Sequence, residues 1–344
     1  MPFALAKGLN FKLYVHSMKT NKDNNLYNMT NLIKGTGSGS GIPELIGNTP
    51  LVRLDKLSGR KLNLFAKLEY INPGGSVKDR AALQIIIDAY ESGQLVKGQM
   101  VVEMTSGNMG SGLAFVCMQF GNPFTAVMPA GNSMERVKLL KAFGAEVVLT
   151  DQVDGGQGMV TGKDIDYASQ VARKIAGEHK GFYVDQFNNI SGIKAHYQNT
   201  GPEIWKNLPA IDAFVSSVGT GGTFMGISRY LKEKNGNIKC IAVEPENAAI
   251  LKNGYVSNPK HIIQGIGYGL VPPHWDGSIA DDIITVTDDE ARIMTRRLSR
   301  EQGLFAGYSS GANIAASLKF AEKNKSVKNI VTILCDTGYK YSDL

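Results

Sequence analysis

The sequence predicts an α/β protein of two lobes, with mostly parallel sheets flanked by helices. Three observations carry this. Apolar runs of strand length alternate with helix-length segments over 99–185, and a second such series begins near Asn199. Glycine-rich turns stand between a run and the helix that follows it at Thr105-Ser106-Gly107-Asn108 and at Gly219-Thr220-Gly221-Gly222-Thr223. The 344 residues are enough for two cores with a cleft between them.

In order, Thr49–Leu54 and Leu62–Leu68 read as strands, and a helix is expected over 81–92. Strands follow at 99–104, 124–128 and 146–149, with helices at 109–120, 133–143 and 163–178, and then Phe182–Asp185. The second series gives helix 199–206, strand 211–218, helix 223–235 and strand 238–243. Residues 252–282, with Pro259, Pro272 and Pro273, read as loop. Strand 283–286, helices 288–302 and 310–324 and strand 329–334 close the fold.

Composition excludes several classes. Hydrophobic content of 43% and charged content of 20% are ordinary for a globular chain, and no apolar run is long enough to span a membrane. The net charge of +6 is uneven. Residues 1–41 carry Lys7, Lys12, Lys19, Lys22 and Lys34 against Asp23, so +4 sits there and +2 on the rest. A basic nucleic-acid-binding surface is therefore not expected. Cys117, Cys240 and Cys335 are odd in number and far apart, which fits reduced thiols in the cytoplasm. No His or Cys pair has metal-ligand spacing. Residues 35–41, Gly-Thr-Gly-Ser-Gly-Ser-Gly, read as a flexible linker after a basic tail.

The chemistry concentrates at Asn72-Pro73-Gly74-Gly75-Ser76-Val77-Lys78-Asp79-Arg80, a sharp turn between a strand and a helix. A lysine at a helix start faces the positive end of the helix dipole, so its pKa should fall and its nucleophilicity rise. Gly219–Thr223 lets backbone N–H groups converge on an anion at a helix N-terminus, with the Thr220 and Thr223 hydroxyls beside them. Its spacing matches neither a dinucleotide fingerprint nor an ATP P-loop. Thr105–Met109 is a second possible anion cradle. Gly307-Tyr308-Ser309-Ser310-Gly311 has the form of a hydrolase nucleophile elbow, but that fold needs a histidine later in the chain. The five histidines are His16, His179, His196, His261 and His274, and none follows Ser309.

In order and spacing these four motifs resemble the cysteine synthase and cystathionine β-synthase family, from about Ile42 to the end of the chain. The resemblance implies the tryptophan synthase β-subunit-like fold (fold type II) and pyridoxal 5'-phosphate (PLP) as cofactor. It implies that Lys78 holds PLP as an imine and acts as the catalytic base. Gly219, Thr220, Gly221, Gly222 and Thr223 would take the cofactor phosphate, Asn108 its phenolic oxygen and Ser309 its pyridine nitrogen. Thr105, Ser106, Gly107, Asn108, Met109 and Gln186 would clasp the substrate α-carboxylate. Gly265 would lie in the loop facing the bound amino acid, where His261 is read as a surface or core residue. The expected division is a large cofactor-binding domain, 42–78 with 183–344, and a small mobile domain, 79–182, carrying the carboxylate loop. Leu344 follows closely on the last expected strand, so no C-terminal regulatory domain is expected.

The function implied is β-replacement on an activated serine through an aminoacrylate. Cysteine synthesis from O-acetylserine and sulfide comes first. A β-cyanoalanine synthase, or a cysteine-consuming enzyme yielding lanthionine or hydrogen sulfide, is the alternative on the same scaffold. A homologue that binds or regulates a serine acetyltransferase is a further reading. Expected partners are a small amino acid and nucleophile, a second copy in a homodimer, and the C-terminal tail of a serine acetyltransferase. Two departures stand out. Met109 replaces the usual threonine and resembles the plant β-cyanoalanine synthases, and Asn188-Asn189-Ile190-Ser191-Gly192 replaces an Asn-Pro-Ala-Asn-Pro type of loop.

Overall fold

The computed structural model describes residues 41–59, 62–156, 160–341 and 344. The expected tail and nearly all of the linker lie outside them. Chain order runs β1 (Leu51–Arg53), β2 (Asn63–Leu68), α1 (Lys78–Glu91), β3 (Val101–Met104), α2 (Asn108–Phe120), β4 (Phe124–Pro129), α3 (Met134–Ala142), β5 (Glu146–Thr150), α4 (Gly162–Glu178) and β6 (Phe182–Tyr183). It continues with α5 (Ser191–Ala195), a π-helical turn at His196–Thr200, α6 (Gly201–Asn207), β7 (Ala213–Ser217), α7 (Gly222–Lys234) and β8 (Lys239–Pro245). The last elements are β9 (Asp282–Val286), α8 (Asp288–Gln302), α9 (Tyr308–Lys323) and β10 (Asn329–Leu334).

The strands form two sheets, of order β1-β2-β10-β7-β8-β9 and β5-β4-β3-β6. All pairings are parallel except β1 with β2, which makes the edge of the larger sheet. Helices cover both faces of a parallel sheet, so its strands read as continuous apolar runs. In the larger sheet Leu64, Val215, Ile241 and Ile330 pack on one face. Phe214, Cys240, Val331 and Ile333 pack on the other with Phe224 of α7. In the smaller sheet Val101, Ala126 and Met128 face α1 and α2, while Val102, Met104 and Val127 face the alanine stripe Ala168, Ala172 and Ala176 of α4. Thr161 with Asp164, and Thr287 with Glu290, make reciprocal capping boxes that start α4 and α8.

The helical stretch before β7 begins at Ser191, earlier than its sequence pattern suggests, because Gly192 and the wider turn at His196–Thr200 break the usual period.

Candidate active site

The turns that carry the motifs leave the C-terminal ends of parallel strands: β2 leads to Lys78, β3 to Thr105, β7 to Gly219 and β10 to Asp336. That is where open α/β sheets bind ligands. Lys78, Met109, Gln186, Thr220, Gly222 and Thr223 line one cavity, together with Gly192 and His196. Parts of all three expected segments, the lysine turn, the carboxylate loop and the glycine-threonine loop, therefore meet there.

Lys78 is the first residue of α1. It is partly buried at the cavity wall, and its amine donates to Thr220 Oγ1 at 3.3 Å. Burial holds its pKa below the usual lysine range, offset in part by the Cys335 thiol. The two residues that follow it are pinned. Asp79 accepts from the Gly74 N–H at 2.5 Å, and burial pushes its carboxyl up to about 7. Arg80 bonds Glu69 at 2.7 and 2.8 Å and Glu203 at 2.7 and 2.8 Å. Lys67 joins Glu203 at 2.5 Å and donates to the Thr49 carbonyl. The charges of Arg80, Glu69, Glu203 and Lys67 are paired and hydrogen-bonded, which is what makes their burial tolerable.

The glycine-threonine loop opens α7, with Gly221 at φ +88°. A Cβ on Gly219 would stand 2.3 Å from the Gly265 carbonyl oxygen, and one on Gly222 3.1 Å from that of Gly192. The structure thus seats Gly265 against this loop, at φ +87°. His196 was not singled out by its sequence context as a site residue. Its Nε2 lies 3.2 Å from Thr223 Oγ1 and its Nδ1 2.9 Å from Thr200 Oγ1. Burial first, then Arg80 and Lys78, hold its pKa well below the ordinary value, so it stays neutral.

Thr105 Oγ1 accepts from the Gly110 N–H at 3.0 Å and so satisfies a free donor in the first turn of α2. Ser106 Oγ accepts from Arg136 at 3.3 Å, and the same guanidinium bonds Gln264 across the cleft. Gly107 is exposed at the helix N-cap. Asn108 donates to Asp336 Oδ2 at 2.8 Å and accepts from Lys340 at 2.7 Å. Met109 is 3% exposed and packs with the core around α1 and α2. Gln186 Nε2 donates to Glu103 at 3.0 Å and to the Met104 carbonyl at 3.2 Å. Ser309 is buried in the first turn of α9, beside the Cys335 thiol. Asp336, Lys340, Glu103 and Arg136 drew no attention in the sequence, because each acquires its neighbours only through the fold.

A family model described as pyridoxal-phosphate dependent enzyme matches residues 42–336. A cysteine synthase of Staphylococcus aureus is 40% identical over 303 residues, 87% of this chain and 94% of its own. The crystal structure of cysteine synthase from Entamoeba histolytica superposes with a TM-score of 0.82 at 37% identity, over 90% of each chain. A hydrogen sulfide-producing enzyme from Fusobacterium nucleatum does so at 0.80 and 38%, over 88% of this chain and 99% of that one. With this match the fold and the lysine in the cavity acquire a common meaning: the chain belongs to the pyridoxal-phosphate-dependent enzymes of fold type II. Within them it is of the cysteine synthase type.

The residues present fit that cofactor. A partly buried amine whose pKa is lowered by desolvation faces a helix N-terminus where a side chain on Gly219 would collide with backbone, one on Gly222 would crowd it, and Gly221 holds a left-handed φ. Among the described residues no group of His, Cys, Asp and Glu could hold a metal ion, and no helix is long and apolar enough to cross a membrane.

Proposed function

We propose that this enzyme replaces the β-substituent of an activated serine, with O-acetylserine and sulfide giving cysteine and acetate. The observation that carries the reading is the Lys78 amine at 3.3 Å from Thr220 of the glycine-threonine loop. Lys78 would hold PLP covalently, Gly219–Thr223 its phosphate, Asn108 its phenolic oxygen and Ser309 its ring nitrogen. When bound, the cofactor supplies an electron sink for the α-carbon; a neutral hydroxyl at the ring nitrogen favours loss of a β-substituent over transamination. Burial lowers the pKa of Lys78, so its free amine suits taking the α-proton and returning it. The Thr105–Met109 loop and Gln186 would receive the α-carboxylate, and residues 79–182 would move as the lobe that closes on it. We place the enzyme in the cytoplasm as a homodimer, with a serine acetyltransferase tail as a candidate occupant of the cleft.

Met109 favours a second reading on the same machinery. Its thioether lines the cavity that holds Lys78, where a threonine would offer a hydroxyl. Cysteine as amino-acid donor, with release of sulfide, suits this more apolar wall, and one structural relative is a hydrogen sulfide-producing enzyme. The deciding experiment is a panel of sulfide, cyanide and thiols against O-acetylserine, serine, phosphoserine and cysteine. The first reading expects the highest kcat/KM for O-acetylserine with sulfide. A higher value for cysteine as donor selects the second, and no turnover of any pair rejects both.

A further inference from the structure

Glu103 is the last but one residue of β3, two positions before the carboxylate loop, and is 1% exposed. Its Oε1 accepts from Gln186 Nε2 at 3.0 Å, while its buried Oε2 has no partner among the described residues. The backbone N–H groups of Asp185 and Gln186 also face it, and Asp185 holds the left-handed conformation at φ +52°. One carboxyl therefore ties together the two segments assigned to the α-carboxylate. The bonds have a consequence for Gln186. Nε2 has two hydrogens, and both are taken, one by Glu103 and one by the Met104 carbonyl. In this arrangement Gln186 has no side-chain donor left for an anion in the cleft.

We propose that Glu103 is a positioning residue for substrate binding: protonated, it lets the Gln186 carboxamide turn a donor toward the α-carboxylate, and ionised, it holds that donor back. A protonated carboxyl can donate to Gln186 Oε1 after the amide turns over, which frees Nε2 for the cleft. A carboxylate only accepts, so it keeps Nε2. Its charge also opposes an incoming anion. Burial raises the Glu103 carboxyl to about 8, so the change falls within the working range. The charged and titratable groups around it are Asp185, Tyr183, and Arg173 of α4, which lies over the Tyr183 ring. Across the cavity stands Lys78 of α1, and the Asp88–Lys194 pair between α1 and α5 is closed on itself.

The inference rests on the reading that Gln186 meets the α-carboxylate, and the test separates the two. L-Alanine has no β leaving group, so its dissociation constant from the holoenzyme is measured by titration calorimetry between pH 6.5 and 9.5. Wild-type affinity should fall with rising pH by about three- to tenfold more than that of Glu103→Gln, the worth of one hydrogen bond. Gln186→Ala should bind more weakly and show a clearly smaller pH step, since only the charge of Glu103 then acts. It stands in if Glu103→Gln does not fold. Parallel profiles for wild type and Glu103→Gln, or a full step in Gln186→Ala that binds weakly, overturn the role of Glu103. Wild-type affinity and profile in Gln186→Ala reject the carboxylate reading, and the inference with it.

Discussion

Lys340 donates to the Asn108 carboxamide oxygen at 2.7 Å, while the amide nitrogen of Asn108 donates to Asp336 at 2.8 Å. The two bonds fix which way the carboxamide faces. They reach from the start of α2 to the segment after β10 and so tie the smaller sheet to the larger. Lys340→Met removes a charge-assisted bond worth about 1.5–3 kcal/mol. We expect kcat/KM for the amino-acid donor to fall about tenfold or more, with most of it kept in Lys340→Arg. Steady-state kinetics of the two variants check this, and parent-like values for Lys340→Met would remove the residue from the site.

Gly219 has no room for a methyl group, because its Cβ would stand 2.3 Å from a backbone oxygen of Gly265. Gly219→Ala must displace either the cofactor loop or the 265 loop. Retention of PLP after dialysis, followed by its absorbance, should drop by about tenfold or more, since a shift of the loop misaligns several N–H donors at once. Undiminished retention would place the phosphate elsewhere.

Glu103 also makes stability depend on pH. Its folded-state carboxyl titrates at about 8 against an ordinary 4.5. Below the lower value both states are protonated. Between the two values only the unfolded chain ionises, so the wild type loses stability as pH rises through this window. Glu103→Gln has nothing to ionise there. Its melting temperature relative to wild type should rise from pH 4.5 to 8 and level off above. A constant difference over that range would show that Glu103 is not held neutral.

Met109 packs in a core and lines the Lys78 cavity, so its replacement acts twice. Met109→Thr should lower stability by about 1–3 kcal/mol, through lost apolar burial and a small void. It should also shift the ratio of kcat/KM toward O-acetylserine and away from cysteine by several-fold, through one added hydrogen bond. Urea unfolding and donor kinetics measure the two effects separately. An unchanged ratio would make Met109 a packing residue and move specificity to the altered segment at Asn188–Gly192.

The fold was legible wherever burial writes a period into the chain. Strand β10 and helix α8 occupy the residues their patterns predict, because one is buried on both faces and the other is capped by Thr287. The glycine and lysine motifs were legible because turn chemistry and helix starts are local. The supporting side chains were not. Asn108 and Asp336 are 228 residues apart in sequence, and Gln186 and Glu103 are 83 apart. Neither spacing carries a signal in one sequence. Asp336, Glu103 and Lys340 carry no local signal, and only the fold desolvates them. The lowered pKa expected for Lys78 at a helix start is found, with burial as its leading cause.

The measurement that bears most directly on the account is the visible spectrum of purified enzyme with PLP, taken on wild type and Lys78→Ala beside an assay of donor consumption. The account predicts an absorbance band of bound cofactor in the wild type that borohydride reduction locks onto Lys78. In Lys78→Ala it predicts no such covalent attachment and loss of turnover. A Lys78→Ala enzyme that turns over its substrates at the wild-type rate, or a reduced cofactor found on another lysine, would contradict it.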